Sequence, residues 1–572
     1  MGNLTLDYKV HGFEALRFNL NLGMDWSETN EYDGVNPGSI HAYRDSEAKG
    51  WGKYTEKYWL RRNHVLDFYA NFNETWGDHN LDVMAGYSWQ HFYGGNRDVT
   101  YYNETHQQYE KSTGVFSQEE SYLVSFYGRL NYSFASRYLF TFTMRADGSS
   151  KFAKGNRWGY FPSAAFAWNI KEESFLEDSE AVSTLKLRLG YGITGQQEIG
   201  NYMYLAKYVL SENDLSHQPN MGDDNHVIMT DKDGNIINGN SFMLSPKAYD
   251  PKIRWESTVT YNAGVDFGFW DGLVDGSVDV YRRDTRDLLN WVTVPMGANF
   301  GTNLLTNVGS IRNQGLEFSL NFNPVRTRDL SVRFGFNGTF QDTKFIKLNN
   351  GDNVMWLNTL GIGTGGIDLQ IHKPGYEPYT FVTYAQGYDA NGKPIQNGLI
   401  DRSKDGKISE DDRYITGKSP SPDFFFGVNF KVSYKNWDFG FNGHGSVGNY
   451  VYNSFFTSNS SARIDTRGGM SNFATTVLRT DWVGKTNTTP QNTSDLFLED
   501  ASFFRLDDIN LGYTFGKLGN TDMKLRVAAG VQNVFVLTKY TGVDPEVSSL
   551  SGVDGTIWPR PRTYSVRLNL NF

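Results

Sequence analysis

The residues best placed to do chemistry in this chain lie in one stretch, DRSKDGKISEDD at 401 to 412. Asp401, Ser403, Asp405, the Lys407 carbonyl, Ser409 and Asp412 fall at positions 1, 3, 5, 7, 9 and 12 of a calcium loop, and Gly406 sits at its sharp turn. Hard oxygen donors at this spacing suit Ca2+. Two features depart from the pattern: position 12 is Asp where a bidentate Glu is usual, and no helices are expected on either side. An acidic external turn held by Gly406 is the competing reading. In both readings the stretch stiffens a long loop and does not catalyse.

Other apparent motifs dissolve when their chemistry is spelled out. GIGTGG at 361 to 366 has the form G-x-G-x-x-G, but no strand leads into it and Pro374 soon blocks a long helix, so it is not a dinucleotide site. Glu119 with Glu120, and Glu172 with Glu173, are adjacent carboxylates, and adjacency does not set the separation that glycoside hydrolysis needs. They read as solvated turn charges. His64, His79, His91 and His106 are scattered without zinc spacing. No nucleophile, base and oxyanion set can be assembled, so no enzyme is expected. The chain has no Cys, which excludes disulfides and thiolate metal sites, and its formal charge of -10 argues against a nucleic-acid partner. Trp255, Trp291, Trp356, Trp482 and Trp558 fall in or near the long connections. There they are expected to pack loops together or to sit at an interface, in preference to contacting cargo.

The elements that must carry these loops are strands. Leu16, Phe18, Leu20, Leu22, Met24 and Trp26 alternate with polar residues, and the closing RTYSVRLNLNF puts Tyr564, Val566, Leu568, Leu570 and Phe572 on one face. The same period of two returns along the whole chain and gives roughly 17 strands, each long enough to cross the ~25 Å apolar band of an outer-membrane barrel when tilted. Aromatics make 15% of the residues, and no run of apolar residues is long enough for a transmembrane helix. Short joints at 11 to 13, 75 to 80, 135 to 137, 270 to 272, 324 to 329 and 435 to 436 alternate with long ones at 27 to 60, 92 to 120, 195 to 255, 342 to 423, 448 to 500 and 536 to 560. That alternation predicts an all-β transmembrane antiparallel barrel with short periplasmic turns and long extracellular loops. It also places Phe572 on the lipid face. Met1 leads directly into a strand that runs toward the periplasm, with no signal-peptide pattern, so the chain is expected to be the C-terminal part of one larger barrel domain.

Particular segments then resemble a family. RADGSSKF (145 to 152), NRWGYFPSAAFAW (156 to 168), LKLRLGYGITGQQEIGNY (185 to 202), DPKIRWES (250 to 257), NVGSIRNQGLEF (307 to 318), LEDASFFRLDDINLGYTF (498 to 515), QNVF (532 to 535) and YTGVDPEV (540 to 547) are similar, in order and spacing, to the signatures of SusC/RagA-type TonB-dependent outer-membrane transporters. The resemblance implies a 22-stranded barrel, an N-terminal plug and a TonB box, and the latter two are absent from residues 1 to 572. It implies a SusD-like lipoprotein and the TonB complex as partners, and oligosaccharide or peptide cargo imported across the outer membrane. A barrel that only anchors long surface loops, as an adhesin or binding platform, is the alternative.

Overall fold

Alternating apolar and polar side chains commit a segment to a strand with one greasy and one wet face, and the backbone must then find partners on both edges. The computed structural model describes residues 1–44, 52–102, 109–111, 116–210, 229–230, 236–237, 244–294, 303–348, 354–357, 368–462, 473–484, 487–517, 523–546, 551–555 and 558–571. Among these, seventeen strands are of eight residues or more, matching the number read from periodicity. No helix among the described residues is long and apolar enough to cross a membrane. The chain divides into two compact units, one of residues 1–166, 191–259 and 287–308, the other of 167–190, 260–286 and 309–572.

The first unit holds β1 (Gly2–Lys9), β2 (Leu16–Val35), β3 (Lys53–Trp76), β4 (His79–Tyr102), β5 (Ser117–Phe134) and β6 (Tyr138–Ser149). They pair antiparallel in chain order, with Leu6 opposite Leu20, Leu20 opposite Phe68, Phe68 opposite Tyr87 and Tyr87 opposite Phe126. One apolar face is thus continuous across neighbouring strands. β7 (Trp158–Asn169), β8 (Val182–Gln196) and β9 (Glu256–Phe269) each belong partly to both units. In the second unit β10 (Val274–Arg286), β11 (Ser310–Arg326), β12 (Leu330–Lys347), β13 (Phe424–Tyr434), β14 (Trp437–Val447), β15 (Phe503–Lys517), β16 (Lys524–Thr538) and β17 (Thr563–Asn571) pair in the same way.

The joints alternate as expected, but their limits move. β2 and β3 stay paired out to Val35 opposite Lys53, so the connection expected at 27 to 60 begins only after Val35. Likewise β4 runs to Tyr102 and β5 starts at Ser117, which makes Glu119 and Glu120 strand residues and corrects their reading as turn charges. Ladder hydrogen bonds continue where the side-chain alternation has faded, because both faces are polar there. The turn expected at 75 to 80 shrinks to Gly77 and Asp78 between Trp76 and His79. At 135–136 the sharp reversal is made without glycine, and at 270–272 Trp270 and Asp271 precede Gly272 in it: Ala135, Ser136, Trp270 and Asp271 all adopt positive φ, between 49° and 55°. Two such residues in succession give the twist that a tight hairpin needs. Phe572 lies outside the described residues.

Next to the short turns the apolar face carries exposed aromatics, among them Trp76, Trp270, Tyr434 and Trp437. Rings with one apolar and one polar edge collect at a membrane interface. The short-turn end of the strands therefore has the girdle of a transmembrane barrel.

Candidate functional site

The wet face of the strands is built from charges that neutralise one another. Arg188 of β8 forms two forked pairs, to Asp266 of β9 at 2.8 and 2.9 Å and to Asp279 of β10 at 2.9 Å on both nitrogens. Gly264 makes room for this knot, since a Cβ there would collide with the Asp279 carboxylate and the Arg188 guanidinium. Arg526 forks onto Asp438 at 2.6 and 3.0 Å, and Asp82 accepts from Asn71, Asn73 and Asn131. Forked Arg–carboxylate pairs are geometrically specific, and they let a strand present charge on a face with limited water. This lining is polar, closely paired and suited to contact a hydrated solute.

Above it, the long loops of the second unit form a core of their own. Leu369 and Phe381 from the 348–423 connection, Tyr452, Phe456, Trp482, Phe497 and Leu498 from 448–502, and Val553 from 539–562 are buried against one another. Burying each of these side chains contributes roughly 1.5–3 kcal/mol, enough to offset the ordering of the chain around it. Backbone bonds stitch the same segments, with Tyr452 N donating to Gly552 O, Asp554 N to Tyr452 O and Tyr384 N to Thr493 O. The loops are a packed body.

The aromatics singled out in the sequence divide accordingly. Trp482 is buried and its indole N–H donates to Pro394 O at 2.7 Å. Trp255 packs in a second cluster with Phe152, Ile199, Ile253 and Leu305, and donates to Arg157 O at 2.8 Å. Trp291 and Trp558 are exposed, and the Trp356 side chain lies outside the described residues. Residues 361 to 366 and His106 lie outside them too. His64 and His91, remote in sequence, stack with ring centroids 5.8 Å apart. Register brings them together where spacing did not.

The 401–412 stretch folds onto its own amides. Asp401 accepts from Lys404 N at 2.6 Å, Gly406 N at 2.8 Å and the Ser403 hydroxyl at 3.2 Å, and Asp405 accepts from Lys407 N at 2.8 Å. Asp412 is fully buried and accepts from Arg402 N, Ser403 N and Ser409 N at 2.8 to 2.9 Å. A short 3-10 turn, Glu410–Asp412, with Ser409 and Asp412 in a capping box, stands where no helix was expected. Lys407 donates its backbone N–H to Asp405, and Gly406 takes the positive φ of 84° that the turn demands. No group of three or more His, Asp or Glu side chains close enough to share an ion occurs among the described residues. Amide donors from Ser403 and Ser409 hold the Asp412 carboxyl down at about 2. Since the unfolded value is about 4, the stabilisation from this group is complete above pH ~4 and is lost as pH falls toward ~2. Hydrogen-exchange protection at residues 402–409, corrected for intrinsic rates, should collapse over that window. Asp412→Asn should lack the protection already at neutral pH. An Asp412→Asn loop protected like wild type would refute the assignment.

One node escaped the sequence reading although both halves of it were quoted. Arg505, from FFRLDD, donates to Asp544 Oδ1 at 2.6 Å and Glu546 Oε2 at 2.6 Å, both from GVDPEV, and to Asn533 Oδ1 of QNVF at 2.7 Å. Arg560 adds pairs to Asp544 at 3.3 Å and Glu546 at 3.0 Å, and His444 of β14 bridges Glu546 and Asp507. Arg505 and Asp544 are buried. The signal was present as one buried-type cation and two carboxylates in separate signatures, but nothing linear pairs them.

The model for the β-barrel of TonB dependent receptor-like proteins matches residues 1–534. The chain belongs to this family. It is 39% identical, across its whole length, to the TonB-dependent receptor SusC of Bacteroides thetaiotaomicron, of which it covers 56%. It is 30% identical over 99% of its length to the TonB-dependent receptor P3 of Formosa agariphila, covering 57% of that protein. The receptor chain thus spans a little over half the length of the curated relatives it matches. Its fold superposes on the structure of the RagAB peptide transporter with a TM-score of 0.79, at 22% identity, covering all of this chain and 61% of that one. The receptor is a SusC/RagA-type β-barrel protein of the outer membrane.

Proposed function

We propose that the whole protein imports bulky nutrients, oligosaccharides or peptides, across the outer membrane by TonB-dependent transport, together with a SusD-like surface lipoprotein. The observation that carries this reading is the 39% identity to SusC over the full chain. A charge-paired wet face suits hydrated, multivalent cargo, and the packed loops suit a partner that covers the mouth. Nothing in this reading requires chemistry on the cargo. The test is uptake of labelled oligosaccharide and labelled peptide pools by cells carrying the whole receptor, with the proton motive force intact or collapsed. Energy-dependent uptake of one pool is the expected result. Surface binding without energy-dependent uptake would overturn import and leave the barrel as an anchor.

We further propose that Asp401, Ser403, Asp405, Lys407, Ser409 and Asp412 take up Ca2+ from the medium, with the ion bridging carboxylates that their amides already orient. Spacing supports this, as does the Asp412 carboxyl held ionised within the same loop. Calorimetric titration of the metal-free receptor should show one site that Asp401→Ala with Asp405→Ala removes, with the barrel still folded. No heat of binding in the unmutated protein would end the proposal.

A further inference from the structure

The register of the first unit shows at which level the apolar face of the strands gives way to polar and aromatic residues. On β3 the apolar face reads Phe72, Ala70, Phe68 and Leu66, and then changes to His64 and Arg62. At the same level β2 changes from Leu22 to Met24 and Trp26, β4 from Trp89 to His91 and Tyr93, and β5 from Val124 to Tyr122 and Glu120. From the girdle residue Trp76 to His64 is a rise of about 40 Å along the strand, or ~28 Å of depth at a tilt near 45°, against an apolar band of ~25 Å. His64 therefore stands at the edge of the hydrocarbon. Arg62 stands one step beyond it, at the depth of lipid headgroups.

What occupies that level is a pair of aromatic stacks holding cationic and N–H groups. The Arg62 guanidinium lies 4.7 Å from the Trp26 ring centroid and 5.8 Å from that of Tyr93. His64 stacks on His91 at 5.8 Å, and His91 on Tyr122 at 4.3 Å with the planes 4° apart. The one carboxylate in the row, Glu120, is engaged by His91 Nε2 at 3.0 Å and by the Tyr122 hydroxyl at 3.2 Å. No carboxylate pairs with Arg62 within ion-pair distance among the described residues, and its side chain is exposed. The next carboxylate on this face, Glu28, is engaged by the Tyr58 hydroxyl at 3.1 Å, so Arg62 is a planar cation held between two rings with no carboxylate in direct contact, an arrangement preorganised for a phosphate.

We propose that Trp26, Arg62 and Tyr93, flanked by His64 and His91, bind the phosphate of an outer-leaflet glycolipid of the lipid A class. The lipid is the occupant that the depth selects, because its chains would lie on the apolar face below Met24 while its phosphate meets Arg62. Rings alone would make an ordinary interfacial belt. A guanidinium among them with no carboxylate in direct contact makes this stretch selective for an anionic headgroup.

The test is native mass spectrometry of the whole receptor released from nanodiscs containing either phosphorylated lipid A or its dephosphorylated form, with inorganic phosphate alone as a third arm. The phosphorylated lipid should be retained at least about tenfold better than the dephosphorylated one. Arg62→Gln should abolish that preference and Arg62→Lys should keep part of it, in protein that still shows heat-modifiable migration. Equal retention of both lipids would overturn the proposal, as would an Arg62→Gln receptor with undiminished preference. Inorganic phosphate binding tightly enough to displace the lipid would show a free-anion site and overturn it as well. If Arg62→Gln does not fold, Trp26→Leu, which keeps the charge and removes one ring, carries the same comparison.

Discussion

Replacing Arg505 with Ala should free the 539–562 loop and cost about 3–5 kcal/mol, because it strands the buried Asp544 and the partly buried Glu546 without their main cation. Asp544 and Arg505 are both nearly inaccessible, and the guanidinium supplies three of the node's hydrogen bonds, each of 2.6 or 2.7 Å. Burial pushes the Glu546 carboxyl up, but His444, Arg560 and Arg505 outweigh it and hold the group below the usual carboxylate range. The node is therefore ionised, and it depends on its cation. Arg560 reaches both acids from a more exposed position and can replace only part of what is lost. Limited proteolysis of the whole receptor should show new cleavage within 539–546 or 551–555, while the strands stay resistant. Adding Asp544→Asn and Glu546→Gln to Arg505→Ala should restore much of the protection, since an unpaired charge costs more than a neutral amide. Protection unchanged in Arg505→Ala would mean that the loop is held by its apolar contacts alone.

This node shows where linear reading stops. The strands were legible because lipid on one side and water on the other impose a period of two, and Leu16 to Trp26 or Leu185 to Ile193 display it without help from partners. Strand ends were not, because between Glu28 and Val35 the ladder to β3 continues although the side chains no longer alternate. Backbone pairing leaves no compositional mark there. The turn at Ala135–Ser136 lacks the glycine that would announce positive φ. The loop core was legible only in its tryptophans, which were expected to pack the loops together, as Trp482 and Trp255 do. The other apolar residues of the loops, from Leu369 to Val553, have no period, because an irregular segment buries whatever side chain its path turns inward.

Candidate site residues were legible to the extent that they were local. Asp401, Asp405 and Asp412 lie within one short stretch of chain, and each carboxylate accepts from amides of that same stretch. The Arg188 knot joins three strands across 91 residues of sequence, and the His64–His91 stack depends on a register that only the turn at Gly77 and Asp78 sets. Such contacts are decided by which residues stand opposite one another. Composition and spacing do not carry that information.

Register also yields the second large effect, an arginine set on the greasy face. Phe68 and Leu189 are exposed on apolar faces, yet neither has an aqueous role; Phe68 lies two residues from the middle of the band that runs from Trp76 to the His64 level, and Leu189 lies at the middle of its own strand, Val182–Gln196. Phe68→Arg and Leu189→Arg should each destabilise the barrel by about 2–4 kcal/mol, the cost of holding a guanidinium near the bilayer midplane on a strand too stiff to reach either surface. Asn19→Arg is the matched change on the wet face. Asn19 already donates to Asp7 at 3.3 Å, so an arginine there gains a carboxylate and should alter stability by less than about 1 kcal/mol. Phe68→Ala separates charge from lost packing, since it removes the ring that stacks on Phe18 at 6.2 Å without adding a cation. The measurement is denaturant unfolding of the whole receptor in lipid vesicles, read by heat-modifiable migration. The lipid-face arginines should shift the midpoint well beyond both Asn19→Arg and Phe68→Ala. In detergent micelles, where water reaches the edge of the apolar belt more easily, the gap should narrow. Equal losses for Phe68→Arg and Asn19→Arg would mean that the two faces have been assigned to the wrong solvents, and the headgroup site at Arg62 would fall with that assignment.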